Sequence, residues 1–156
     1  MNPTLTKTGK KAFLAPFRWI IVAGLVFFLA SGDINNPCVW IYCGTYAIGG
    51  LISSFVLYKK KPRLLNDRGK MQKGTKQFDK HLLLTYFLFA LVITPLAAGI
   101  DNRLDLTEAL PFIYYYVGIS LYLISALLST WPMLHNPFFE GTVRIQTNKN
   151  HTVISS

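Results

Sequence analysis

Few side chains in this sequence can move protons, hold a metal or act as nucleophiles, and their spacing limits the chemistry open to them. Asp101, Arg103, Asp105 and Glu108 share one short stretch. Paired carboxylates can serve as general acid and base, but a stretch set between two apolar runs reads more simply as a solvated loop. Cys38 and Cys43 stand at i and i+5, which on a helix puts them about 140° apart around the axis, a poor geometry for a disulfide. No CxxC or metal-ligand spacing accompanies them, so no metal site is expected. Near the C-terminal end, His135, Glu140 and His151 form no catalytic constellation by themselves. Glycine-rich phosphate loops, a Ser/His/Asp order and zinc motifs are all missing from the sequence.

The elements that carry these residues are apolar runs separated by charged blocks. The chain of 156 residues is 51% hydrophobic and only 15% charged, whereas a soluble domain usually carries about 25% charged residues. Four runs, at about 12–30, 39–58, 82–100 and 110–133, are each long enough for a membrane-spanning helix. The predicted fold is therefore all-α, a polytopic helical membrane domain over residues 1–134 with about four transmembrane helices, followed by a tail at 135–156. Arg18 interrupts the first run close to its basic end, where a long stem lets the charge reach the headgroups, and Trp19 beside it suits an interfacial anchor. That run, behind Lys7, Lys10 and Lys11 and ahead of Ala30-Ser31-Gly32, also has the layout of a signal peptide. In the second run Gly50 and Ser54 share a face, as small residues do where helices approach closely in lipid. Pro95 is expected to kink the third helix, and Pro132 with Asn136-Pro137 to end the fourth. Tyr114, Tyr115, Tyr116 and Trp131 fit an aromatic belt at the two ends of the last run.

Charge fixes the expected orientation. Nine of the sixteen basic residues fall between the second and third runs: Lys59, Lys60, Lys61, Arg63, Arg68, Lys70, Lys73, Lys76 and Lys80. Cytoplasmic loops collect Lys and Arg. The loop around Asp33 has neither, and the one around Asp101 has three acids against one base. Both ends of the chain are thus expected on the cytoplasmic side of a cell membrane crossed several times. The net charge of +9 does not point to nucleic acid, because no recognition helix or basic sheet with interleaved aromatics is evident. Anionic lipid headgroups are the natural partner of the basic loop. No acid or histidine lies within a run, which argues against proton relays and ion pumps.

Three stretches resemble the isoprenylcysteine carboxyl methyltransferase family of integral membrane enzymes. The first is Leu64-Leu65-Asn66-Asp67-Arg68-Gly69-Lys70 with Lys73-Gly74-Thr75-Lys76-Gln77-Phe78-Asp79-Lys80, where the family usually has tryptophan at the place of Phe78. The second is Ala98-Gly99-Ile100-Asp101-Asn102-Arg103, similar to the family's Ala-Gly-x-Asp-x-Arg. The third is Asn136 to Gln146, then His151-Thr152-Val153-Ile154, similar to the lead into the family's catalytic region. The resemblance implies S-adenosylmethionine as cofactor, with Gln146, His151, Thr152, Val153 and Ile154 forming one wall of its pocket. A Gln amide both donates and accepts hydrogen bonds, and an extended strip offers backbone groups to the adenine and amino-acid ends. The Gly-x-Tyr turn and Arg-His-Pro-x-Tyr motif that follow this third stretch in the family do not follow it here. The expectation is a methyltransferase-like membrane protein, truncated and not catalytic alone, with no catalytic residue of its own and its site completed by a partner chain or a second copy. The alternative expectation is a non-catalytic bundle that interacts with lipid or a partner protein. A third, small-molecule transport, rests only on Pro95 and the several helices.

Overall fold

The computed structural model describes residues 4–68, 75–108, 111–136 and 139, and among them finds helices and no strand. In chain order these are α1 (Lys7–Phe13), α2 (Ala15–Ser31), α3 (Pro37–Lys60), α4 (Pro62–Arg68), α5 (Gln77–Leu88), a π-helical turn (Phe89–Ile93), α6 (Thr94–Leu104) and α7 (Phe112–His135). Among the described residues three helices are long and apolar enough to cross a membrane: Pro37–Lys60, the continuous run Gln77–Leu104, and Phe112–His135. The pair α1 and α2 meets the same test together but bends by 49° between its halves. Only 11%, 6% and 0% of the apolar windows of the three long helices are buried inside the protein. Apolar surface on that scale would drive association in water, but lipid matches it.

Two prolines explain the local departures from the expected runs. The run expected to begin at Ala12 is divided at Leu14. Pro16 has no N–H to give Ala12, so α1 closes with Leu14 N–H donating to Lys10 O at 3.1 Å and α2 restarts beyond it. The kink expected at Pro95 takes the form of the π turn just ahead of it. There Thr94 N–H reaches back to Phe89 O, and the widened turn absorbs the bond that Pro95 cannot make. Pro132, expected to end the last helix, lies inside α7 instead. The helix ends at His135, with Asn136 N–H donating to Pro132 O at 2.7 Å. Pro137 lies outside the described residues.

α2 is the centre of the bundle. It packs most extensively on α6, then on α3 and the π turn, while α7 leans on α3. Small residues make the close contacts. A methyl group at Gly50 would stand 2.5 Å from Pro16 Cβ of α2, and Ser54 on the same face is buried. The neighbouring Gly49 instead meets the Tyr122 ring of α7. Consecutive glycines on α3 thus admit two different helices. Trp19 of α2 packs against Phe87 of α5, with ring centroids 4.9 Å apart and planes tilted by 47°.

Candidate functional site

The basic end of the bundle is closed by two short helices, and both need tertiary support, since seven residues are too few for a stable isolated helix. Asn66 on α4 is their junction. Its Oδ1 accepts from the Thr6 backbone N–H and the Thr6 hydroxyl, each at 3.0 Å, and its Nδ2 donates to Thr4 O at 3.4 Å. Thr6 in turn caps α1 by accepting from Gly9 N–H. Gly9 is buried against the Asn66 side chain, so that no larger residue fits there. Beneath the junction lies the hydrophobic core of this end: Leu57, Leu64 and Leu65, packed against by Leu5, Phe13, Met133 and Leu134. Residues from α1, α3, α4 and α7 meet in it.

Arg68 ends α4 and ties it to the chain beyond α7. Its Nη1 donates to Phe139 O at 3.4 Å, and the guanidinium lies 5.8 Å from the centre of the Phe139 ring, within cation–π range. Burial pushes the Arg68 guanidinium below its ordinary pKa, though arginine keeps its charge in proteins. Close by in sequence, His135 stacks on Trp131 at 4.7 Å. Arg68 belongs to the first stretch that resembles the methyltransferase family and Phe139 to the third. The assigned cofactor residues Gln146, His151, Thr152, Val153 and Ile154 lie outside the described residues.

The remaining stretch of the resemblance, Ala98 to Arg103, sits at the opposite end, on α6. Gly99 packs against α2, and Asn102 Oδ1 accepts from Asn36 Nδ2 at 2.6 Å. Asn36 also caps α3, its Oδ1 accepting from Cys38 N–H at 3.0 Å. Asp101 accepts from the Thr107 hydroxyl at 2.7 Å, and Asp105 closes α6 with φ +46°. These residues therefore hold α3 to α6 and shape the loop that follows, and none of them lies beside the Asn66–Arg68 junction. Asn102→Ala should cost about 1 kcal/mol, the worth of one side-chain hydrogen bond, and lower the melting temperature by about 2–4 °C in a light-scattering or intrinsic-fluorescence melt. Among the described residues no group of three His, Cys, Asp or Glu side chains is placed to hold a metal, and Cys38 and Cys43 are free thiols.

Two cavities accompany this framework, and sequence reasoning missed both. One, of about 340 Å³, opens between α3 and α7 and includes Tyr42, Tyr46, Tyr114, Tyr115 and Tyr122 in its lining. Its floor is the Tyr46–Tyr122 ring contact at 5.3 Å, with the Tyr122 hydroxyl donating to Tyr46 O at 3.3 Å. Beyond the middle, nearer the basic end, the helices close again through Ser53 and Thr130, whose hydroxyls are 3.1 Å apart. The other, of about 440 Å³, lies at the basic end between α1 and α3. Tyr114 and Tyr115 were legible only as a belt, because the gap depends on how far α7 diverges from α3. No protein-family model, no curated protein and no solved structure matches this chain.

Proposed function

We propose that the chain crosses a cell membrane four times, the bent α1–α2 pair forming the first span, with both ends cytoplasmic. We further propose that its basic end forms one wall of an S-adenosylmethionine site of the isoprenylcysteine carboxyl methyltransferase type. The orientation follows the positive-inside rule, with Lys59, Lys60, Lys61, Arg63 and Arg68 at one end and Asp33, Asp101 and Asp105 at the other. The methyl-transfer reading is supported above all by the Arg68–Phe139 contact, which joins the first and third family-like stretches at the same end of the bundle. In such a site the cofactor would supply a methyl group on a sulfonium. This chain's part is to position it: Arg68 pins the start of the tail, the Leu57–Leu64–Leu65 core gives that anchor a rigid base, and the bundle shields one side from water. Transfer requires an aligned and largely dry donor, which is the task of such a wall.

Equilibrium binding of radiolabelled S-adenosylmethionine to the chain in lipid nanodiscs tests the reading. Saturable binding is expected, lost in Gln146→Ala and weakened about tenfold in Arg68→Ala, the equivalent of one charged hydrogen bond. Absence of saturable binding at millimolar cofactor overturns it. A non-catalytic bundle that binds a partner is the second reading, favoured by α7, which has no buried residue. Crosslinking in native membranes that captures only monomer counts against that one.

A further inference from the structure

The 49° turn between α1 and α2 has a consequence at the basic end. α1 leans over α3, and the two enclose the cavity of about 440 Å³ lined by Thr4, Leu5, Lys10, Phe13, Phe55 and Tyr58. That volume lies within the range of ordinary small-ligand sites. Its floor is apolar and preformed, with Phe13 and Tyr58 in edge-to-face contact at 6.3 Å. Its rim is cationic on both sides. Lys10 enters from α1, and the Lys59 ammonium of α3 lies 4.7 Å over the Phe55 ring. Among the described residues no carboxylate lines the cavity.

Lys59 also ends a stripe. Ile48, Ile52, Phe55 and Lys59 follow at i, i+4, i+7 and i+11, one face of α3, and the three apolar members are 61%, 59% and 49% exposed. An apolar track thus runs along the helix to a pocket lined by the Lys10 ammonium and the Thr4 and Tyr58 hydroxyls, with the Lys59 ammonium beside it over the Phe55 ring. We propose that this cleft between α1 and α3 binds one anionic phospholipid. The phosphate sits between Lys10 and Lys59, and one acyl chain lies on Phe55, Ile52 and Ile48. The apolar floor and track favour a lipid over a soluble anion. With no carboxylate among the described lining residues to meet a choline or ethanolamine nitrogen, the site favours a net negative headgroup over a zwitterionic one. Since the lipid would touch both helices, it would also fasten α1 to α3. The inference does not depend on the methyl-transfer reading.

Native mass spectrometry of the delipidated full chain tests it, with phosphatidylglycerol and phosphatidylcholine offered in equal amounts. One tightly retained phosphatidylglycerol per chain is expected. Each surface lysine contributes roughly 1 kcal/mol toward anionic lipid, so Lys10→Ala and Lys59→Ala should each lower the preference about fivefold. Lys10→Arg with Lys59→Arg should restore it, and Lys76→Ala with Lys80→Ala, away from the cleft, should leave it unchanged. Near-equal retention of both lipids overturns the proposal. So does a preference that survives loss of both Lys10 and Lys59, or one that falls as far in the Lys76/Lys80 variant, which would report a general surface potential. Displacement by millimolar inorganic phosphate overturns the lipid as occupant and leaves a phosphate site.

Discussion

Replacing Gly99 with leucine is expected to separate the two most closely packed helices of the bundle and to unfold it under conditions where the native chain is stable. A Cβ at position 99 would stand 2.6 Å from Ala30 Cβ, 2.7 Å from Phe27 O and 3.1 Å from Ser31 N. Two of these three atoms are backbone, so no rotamer change on α2 makes room, and the helix itself must move. Close contact between helix backbones is what small residues supply in lipid, where burial offers little net drive between helices. Gly99→Ala should therefore cost about 1–3 kcal/mol, as overpacking does, and leucine more. Gly44→Leu and Gly118→Leu are the matched controls. They too lie in long apolar helices, but a Cβ there meets nothing within 4 Å, and their effects should stay within about 0.5 kcal/mol. Unfolding in mixed micelles of rising dodecyl sulfate fraction, followed by circular dichroism, reads the difference. Equal curves for Gly99→Leu and Gly118→Leu would show that α2 and α6 do not pack as described.

That glycine shows what the sequence allowed and what it withheld. The apolar runs were legible because a lipid-facing helix is apolar over most of its circumference, which needs no knowledge of its neighbours. The same evenness hides the neighbours. Nothing in the run around Gly44, Gly49 and Gly50 says that the first faces open space, the second Tyr122 and the third Pro16. Spacing alone did mark Gly50 and Ser54 as a packing face, and Gly50 meets α2 there. The break at Leu14 was hidden because Pro16 falls where the run still reads as continuous hydrocarbon. At Pro95 the residue announced a disturbance but not its form, since the π turn depends on which carbonyl the next N–H can reach. Of the site, the platform was visible as a motif: Asn66 and Arg68 stood out in the family-like stretch before the structure gave them Thr6 and Phe139 as partners. The Ala98 to Arg103 stretch was visible too, but its residues serve the other end of the bundle.

Leu65→Ala is expected to melt the closure of the basic end while leaving the long helices in place. Leu65 is 2% exposed and sits in the core shared by Leu57 and Leu64. Truncating a buried leucine costs about 2–5 kcal/mol, through lost transfer energy and the cavity left behind. Elsewhere that loss would be spread over a cooperative bundle. Here it falls on α1 and α4, seven residues each, which have little stability apart from each other. Hydrogen exchange should therefore rise in both by about 30-fold or more, the ratio corresponding to 2 kcal/mol, with α2, α3 and α6 unchanged. Asn66→Ala should act in the same direction but less, since it removes the acceptor for Thr6 N–H and the Thr6 hydroxyl and leaves the leucines packed. Both proposed sites would suffer with them, because α4 carries Arg68 and α1 carries Lys10. If α4 exchanged faster in Leu65→Ala while α1 kept its protection, α1 would be held by the lipid bridge to α3 rather than by α4. Adding Lys59→Ala to that variant should then release it.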